Sequence, residues 1–515
     1  MSAPVANDAR KSGTGRPWRV GAILLAMGIG ISSIGCDDAD DGGNRMPGRS
    51  LTGDQRSQVF QTFAHNLNHL EDFPPEQMLP HLRDLLNHWQ RATKPEVSWQ
   101  PDPVVKTLPE ALRELPEVKR IGATDFDAKD MEFLMECVWL RDIARTARGD
   151  GLDDVTIASR LFDWTVRNLQ LEPDTAENGA VANQTLGEIL LIGRATALER
   201  AWVFIQLCRQ QGLEAVILAV PDDKDKSKLR PWLAAVRVKD QLYLFDPRLG
   251  LPIPGPDGKP VATLAEVAAD DRLLRALDLD AKHPYPFTSD EVQSVVALVE
   301  ASPGYLSREM KLVESKLAGD ERVVLTAAPS KSIENLKKLK HVGDAQLWLM
   351  PYEVLQARRG RSQEDQRSAI REMLVFLGNT PLFGGRVRQF KGDFDGEKGA
   401  KRLYMESRPS QFQVDAIRIS PEQKKILTEV KQAASFWLGL IAFEQKDYPI
   451  AVDYLRERVL IASPDGPWTP GARYNLGRTY EALGETEKAV AQYQLDTSPQ
   501  STGNRLRARR LLAKP

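Results

Sequence analysis

The chain predicts a multidomain α+β protein, and three observations carry that expectation. Its 515 residues exceed what one ordinary hydrophobic core holds, so about two to four domains are expected. An apolar helix pattern at 197–211 gives way to three short β-like runs before residue 246. Near the C-terminus, a pair of small residues recurs at a fixed offset. Apolar residues make up 42 % of the chain and charged residues 27 %, which excludes a wholly disordered protein. The expected order begins with an export signal at 1–36, a polar tether at 37–50 and a helical region at 51–150. A helix-plus-antiparallel-sheet domain at 151–280 follows, then a mixed α/β region at 281–415 and helical repeats with a capping helix at 416–515.

Arg10, Lys11, Arg16 and Arg19 form a basic start, and Val20 to Ile34 is an apolar run rich in Gly and Ala. That run is short for a membrane span of about 20 residues, which favours cleavage over an uncleaved helix. Gly35-Cys36 resembles the end of a bacterial lipobox, with Ser33 where an aliphatic residue is usual. The resemblance implies a lipidated Cys36, a solvated tether from Asp37 to Asn44, and anchoring on the periplasmic side of the cell envelope. Losing residues 1–36 removes Asp8 and four basic side chains, a net +3, and moves the formal charge from −2 to −5. No basic face for nucleic acid is expected from that balance. Cys137 and Cys208 sit in apolar helical contexts. They are expected as buried thiols rather than a disulfide framework or a cysteine-rich zinc site.

Residues 51–150 read as helices broken by prolines, with amphipathic stretches at His65 to Leu70 and Met78 to Trp89. His65 and His69 share a helix face, with His81 and His88 to follow, but no acidic companion stands between the first pair. No metal and no cofactor are expected. Asp153-Asp154 suits a helix start, and Ala158, Leu161, Phe162, Thr165 and Leu169 then line one buried face. The next helix runs from Ala197 to Gln211, and Gly212 ends it. Ala215 to Val220, Leu233 to Val238 and Gln241 to Phe245 read as strands, the last two joined by a Lys239-Asp240 hairpin. Pro252 to Pro260 holds four prolines and reads as a loop, Leu264 to Leu277 as a helix, and Lys282 to Phe287 as a linker.

Residues 153–255 resemble the transglutaminase-like (papain-like) superfamily. There a Cys opens a helix that ends in a Gly-Ile/Leu-x-Ala turn, a His lies two residues before a Trp, and an Asp precedes a Pro. Here the turn is Gly212-Leu213-Glu214-Ala215, the Trp is Trp232, and the acid is Asp246 before Pro247. Counting fifteen residues back from Gly212 places Ala197 in the Cys slot, and the His slot is Arg230. A thiol attacks as thiolate with a neighbouring His to take its proton, and neither alanine nor a permanent guanidinium supplies that chemistry. The resemblance therefore implies a pseudoenzyme with a vestigial cleft of Ala197, Arg230, Trp232 and Asp246. Asp246 is expected to pair with Arg230. Cys208 lies about three helical turns from Ala197 and reads as core. Thr196, next to the slot, is a weak nucleophile candidate without a base.

In 281–415, Glu291 to Ala301 and Leu306 to Leu317 read as helices, and Arg322 to Ala327 and Gln346 to Met350 as strands. Neither a catalytic constellation nor a phosphate loop is present there. At the C-terminus Gly439 and Ala451 are twelve apart, as are Gly477 and Ala489, and the two pairs are offset by 38 residues. The small residues let two helices approach closely, with Leu476, Tyr480 and Tyr493 filling the space between. The second unit, Ala472 to Tyr493, resembles a tetratricopeptide repeat, and the first resembles it more loosely. The repeats are expected to dock on residues 400–430 or on another chain. A closing helix at 502–514 carries Arg505, Arg507, Arg509 and Arg510, which read as a solvated face.

These readings lead to a non-catalytic cell-envelope lipoprotein that binds a protein or peptide through the repeats and the cleft. The alternatives are an envelope hydrolase or transferase with a relocated nucleophile, and a relic that still recognises peptidoglycan or peptide. In the relic, Arg230 would meet a ligand carboxylate.

Overall fold

The computed structural model describes residues 53–174, 184–222, 224–225, 228–376, 380–410 and 420–513. The expected signal, tether and Cys36 lie outside the described residues. The described chain is mixed α/β, with mostly helical flanks around one sheet.

The N-terminal helices α1 (Gly53–Leu67) and α2 (Pro75–Thr93) bury Phe63, Leu67, Leu82 and Leu86 against α3 (Ala128–Arg148). Pro80 is carried inside α2, so the proline there does not break the helix. His65 and His69 stack with ring centroids 4.2 Å apart, and His69 Nδ1 lies 2.7 Å from the His65 carbonyl oxygen. No group of three or more metal-ligating side chains occurs among the described residues.

Local capping chemistry sets the next helices. Asp153 accepts from the Thr156 N–H at 2.9 Å to start α4 (Asp154–Asn168). Reciprocal capping boxes, Thr185 with Glu188 and Thr196 with Glu199, start α5 (Leu186–Ile192) and α6 (Ala197–Gln210). The short strand β1 (Gln170–Leu171), after α4, pairs in parallel with β2 (Arg194–Ala195), which lies between α5 and α6 and sets the entry to α6. Past α6, Gly212 takes φ +74°, a conformation glycine adopts without strain, and sends the chain into the sheet.

Strands β3 (Glu214–Pro221), β4 (Leu229–Val238), β5 (Gln241–Asp246) and β6 (Leu251–Pro252) form an antiparallel set. Lys239, at φ +56°, makes the expected hairpin between β4 and β5. Alternation places Ile217 and Ala219 on one face with Phe162 of α4 and Phe204 of α6. Val216, Leu218 and Val220 face the other way, onto Val267 and Leu336.

The sheet then departs from the expected all-antiparallel form. Its order is β6-β5-β4-β3-β7-β8, where β7 (Val295–Val299) pairs with β3 and β8 (Val342–Leu347) runs parallel to β7. The segment read as a helix at 291–301 is thus a 3-10 turn followed by a strand. Its Val-Val-Ala-Leu-Val run is β-branched and buried, and the sheet edge outweighs helical spacing. Strand β8 lies some four residues before the expected Gln346 to Met350, and a helix begins at Met350 instead. The expected strand at 322–327 does not form. There the Gln210 side chain bonds both backbone groups of Val324, at 2.9 and 3.0 Å, and stands in for a neighbouring strand. The expected helix at 264–277 breaks at Asp270 into α7 (Leu264–Ala269) and a single turn at Arg272–Arg275. The sheet draws strands from both sides of residue 280.

The C-terminal layer begins with α8 (Pro381–Lys391) and α9 (Pro421–Glu444). α9 is the one described helix long and apolar enough to cross a membrane, and its Phe436, Trp437, Leu440 and Ile441 are fully buried in the protein. It is followed by α10 (Tyr448–Val452), which continues as a π-helical stretch at Asp453–Ile461. Then come α11 (Thr469–Ala482), α12 (Thr486–Gln494) and α13 (Ser501–Leu512). Small residues permit the close approach: a Cβ on Gly477 would lie 2.5 Å from the Tyr493 ring, and one on Gly439 2.8 Å from Leu455. Ala451, Leu476 and Ala489 are fully buried beside them, and Tyr480 is nearly so.

This layer does not stand free. Arg408 bonds Ser435 at 2.9 Å, which matches the expected docking near 400–430. A second, larger seam joins it to α4 and β1. Gln170 bonds the Gly471 N–H and the Pro467 carbonyl, Asn475 donates to the Arg167 carbonyl, and Arg167 pairs with Glu444. Asp163 meets both Arg167 and Arg478; burial alone would raise its pKa, but the two guanidiniums hold it well below the carboxylate range. The arginines of α13 are also engaged: Arg507 pairs with Glu481, and Arg509 donates to the Ala276 and Asp278 carbonyls.

Candidate functional site

The fold brings Ala197, Arg230, Trp232 and Asp246 into one cleft of about 550 Å³, with a smaller recess of about 190 Å³ beside Ala197. That size lies within the ~300–1,000 Å³ typical of ligand clefts. Ala197 is the first residue of α6, Arg230 and Trp232 lie on β4, and Asp246 ends β5. The cleft therefore sits where the helix N-terminus meets the ends of two strands. Cys208, far along α6, is fully buried, and burial pushes its thiol well above the usual range.

Each polar group in these slots is engaged internally. Asp246 is 3 % exposed, and its Oδ1 accepts from the Arg248 and Leu249 N–H groups at 2.9 Å. Tyr285 donates its hydroxyl to Asp246 Oδ2 at 2.7 Å and accepts from Trp232 Nε1 at 2.9 Å. Burial raises the Asp246 pKa, against the two N–H donors and the hydroxyl, which lower it. Burial also pushes Tyr285 well above the usual phenol range.

Arg230 is turned to a different partner. It pairs with Glu291, donates to the Pro286 carbonyl at 3.1 Å, and lies 4.3 Å from the centre of the Phe287 ring. The expected Asp246–Arg230 ion pair is thus absent, and Arg230 is already occupied as a carboxylate anchor. The more exposed cation is Arg248, with its side chain 60 % accessible and an ion pair to Asp174 at 2.8 Å. Thr196 is a capping residue. Its hydroxyl donates to Glu199 Oε2 at 3.0 Å and accepts from the Glu199 N–H at 3.3 Å.

The segment read as a linker at 282–287 is a wall of this cleft. In His283-Pro284-Tyr285-Pro286-Phe287, prolines hold the backbone extended, and Tyr285 and Phe287, two apart, are both buried. That alternation was the available signal. Arg275 holds the strap by donating to the Tyr285 and Phe287 carbonyls. Pro499 and Thr502, from the loop entering α13 and its first turn, also line the cleft.

Tyr285→Phe should destabilise the chain by about 1–3 kcal/mol, because it leaves a buried carboxylate and the Trp232 N–H short of a partner. The sign of the pH effect follows from the raised Asp246 pKa. Its stabilisation is complete below the ordinary carboxyl range and is lost as pH rises through the folded value. Removing the hydroxyl takes away a bond that favours the carboxylate, so the loss should extend to higher pH. Urea melts of both proteins across pH 4 to 8 check this, with that range set by the carboxyl-to-neutral window.

No family model, curated protein or solved structure matches the chain.

Proposed function

We propose that this chain is a non-catalytic binding protein, anchored at the cell envelope through a lipidated Cys36, whose degenerate transglutaminase-like cleft holds a peptide segment. The observation that carries the reading is the state of the three slots. Ala197 presents only a methyl group, Arg230 is paired with Glu291, and Asp246 is bonded to Tyr285 and two backbone amides. An acyl-transfer site needs a nucleophile within reach of a base; the hydroxyl–carboxylate pair that lines the cleft, Tyr285 with Asp246, is buried, and the Tyr285 oxygen is already bonded to both Asp246 and Trp232. What remains is a concave surface of prolines and aromatic rings with Arg248, its side chain 60 % accessible, where the carboxylate of an extended chain would take the place of Asp174. The tetratricopeptide-type helices support the same protein-binding role.

The test is binding of the full chain to a library of fluorescent hexapeptides, followed by Arg248→Ala. Saturable binding by carboxylate-bearing peptides, weakened about tenfold or more in the variant, is expected. If no peptide saturates the protein, or the variant binds equally well, the reading fails.

A further inference from the structure

We infer that the C-terminal helices are not a separate module but one wall of the cleft, with Thr502 and Pro499 setting the width open to a peptide ligand and Gln500 positioning the turn that carries Arg248. This rests on the cleft being an open binding site. The turn at 246–250 closes with the Gly250 N–H donating to the Asp246 carbonyl at 2.8 Å and projects Arg248 toward the ligand space. Its outer side is clasped by the C-terminal layer. Gln500 Nε2 donates to the Leu249 carbonyl at 2.6 Å, and its Oε1 accepts from Arg200 Nη1 at 2.5 Å. Arg200, 2 % exposed, also donates to the Leu169 carbonyl and, at 3.2 Å, to that of Pro247.

Two glycines show how closely the layers meet. A Cβ on Gly503 would overlap the Leu249 carbonyl oxygen, and one on Gly250 would lie 2.7 Å from Gln500. The neighbours of Gln500 that face the cleft are Pro499 and Thr502, both exposed at its rim. A ligand lying across Arg248 and the Trp232–Phe287 wall therefore has the start of α13 as its far boundary. Placing the rim on a rigidly docked helix, rather than a free loop, gives it the precision a specificity wall requires.

A chemical probe tests the geometry without a known ligand. Ala197→Cys places a thiol at the N-terminus of α6, where thiolate is favoured, while Cys137 and Cys208 are buried. The thiolate displaces chloride from a chloroacetyl carbon: the S–C bond forms, the C–Cl bond breaks, and the thiol proton goes to buffer. Chloroacetamide and chloroacetyl-tetraalanine amide share this reacting centre and differ only in bulk. Labelling of the full chain carrying Ala197→Cys is read by mass spectrometry on the peptide containing residue 197, which separates it from Cys36. When Thr502→Trp is added, the tetraalanine probe should react about tenfold more slowly, and chloroacetamide within about twofold of the Ala197→Cys parent. When Gln500→Ala is added instead, the wall loosens and the tetraalanine probe should gain about threefold or more. An unchanged tetraalanine rate in both variants, with chloroacetamide still reacting, overturns the wall while leaving an open cleft. Failure of chloroacetamide to label the introduced thiol in the Ala197→Cys parent overturns the open cleft itself, and the wall with it.

Discussion

Replacing Arg200 with leucine should cost the protein about 3–5 kcal/mol, the largest effect of any single change near the cleft. The guanidinium is fully enclosed, and its hydrogen-bond partners among the described residues are two main-chain carbonyls and the Gln500 amide oxygen, with no carboxylate. Burial draws its pKa down to about 9, against the nearby Tyr474 and Glu172, which raise it, so it remains a cation at neutral pH. Leucine fills the volume but takes the Arg200 donors from the Leu169 and Pro247 carbonyls and Gln500 in a buried seam. Arg200→Lys should recover only part of the loss, because one ammonium cannot reach acceptors spread around a planar fork. Urea denaturation measures the total cost. Hydrogen exchange should localise it to residues 246–252 and 498–506, and uniform protection there would contradict the assignment.

Gly503→Ala is expected to cost about 1–3 kcal/mol. The obstacle is a backbone oxygen on the opposite layer, Leu249 O, which cannot rotate away as a side chain can. The start of α13 must shift, and with it Pro499, Thr502 and the Gln500 clasp. Gly212→Ala serves as the contrast. Its added Cβ meets nothing within 4 Å, so only the positive-φ strain applies, about 1 kcal/mol. A thermal melt in which the two variants fall together would mean the α13 seam carries no special constraint.

The sequence was most legible where the physics is local. The acidic pair Asp153-Asp154 marked the start of α4, the strands β3 to β5 were readable as short apolar runs, and Gly212 marked the end of α6. The four cleft residues came from the resemblance to the transglutaminase-like superfamily, and the fold brings all four to one cleft. What could not be read were contacts between distant segments. Tyr285 meets Asp246 across 39 residues, and Arg200 meets Gln500 across 300. No local periodicity reports such pairs. The strand at 295–299 was hidden for the same reason: a short apolar run fits either period, and only the open edge of β3 decides it. At 322–327 the opposite happened, where a single glutamine side chain satisfied the backbone and no strand formed.

The central claim is that the cleft is built and chemically silent. A turnover screen of the purified full chain tests it most directly, covering peptide hydrolysis, glutamine-amide hydrolysis, amide transfer and muropeptide cleavage, beside Thr196→Val and Asp246→Asn. The account predicts no turnover above buffer in any of the three proteins. Activity in the parent that both substitutions abolish would contradict it and place a nucleophile at the Thr196 cap.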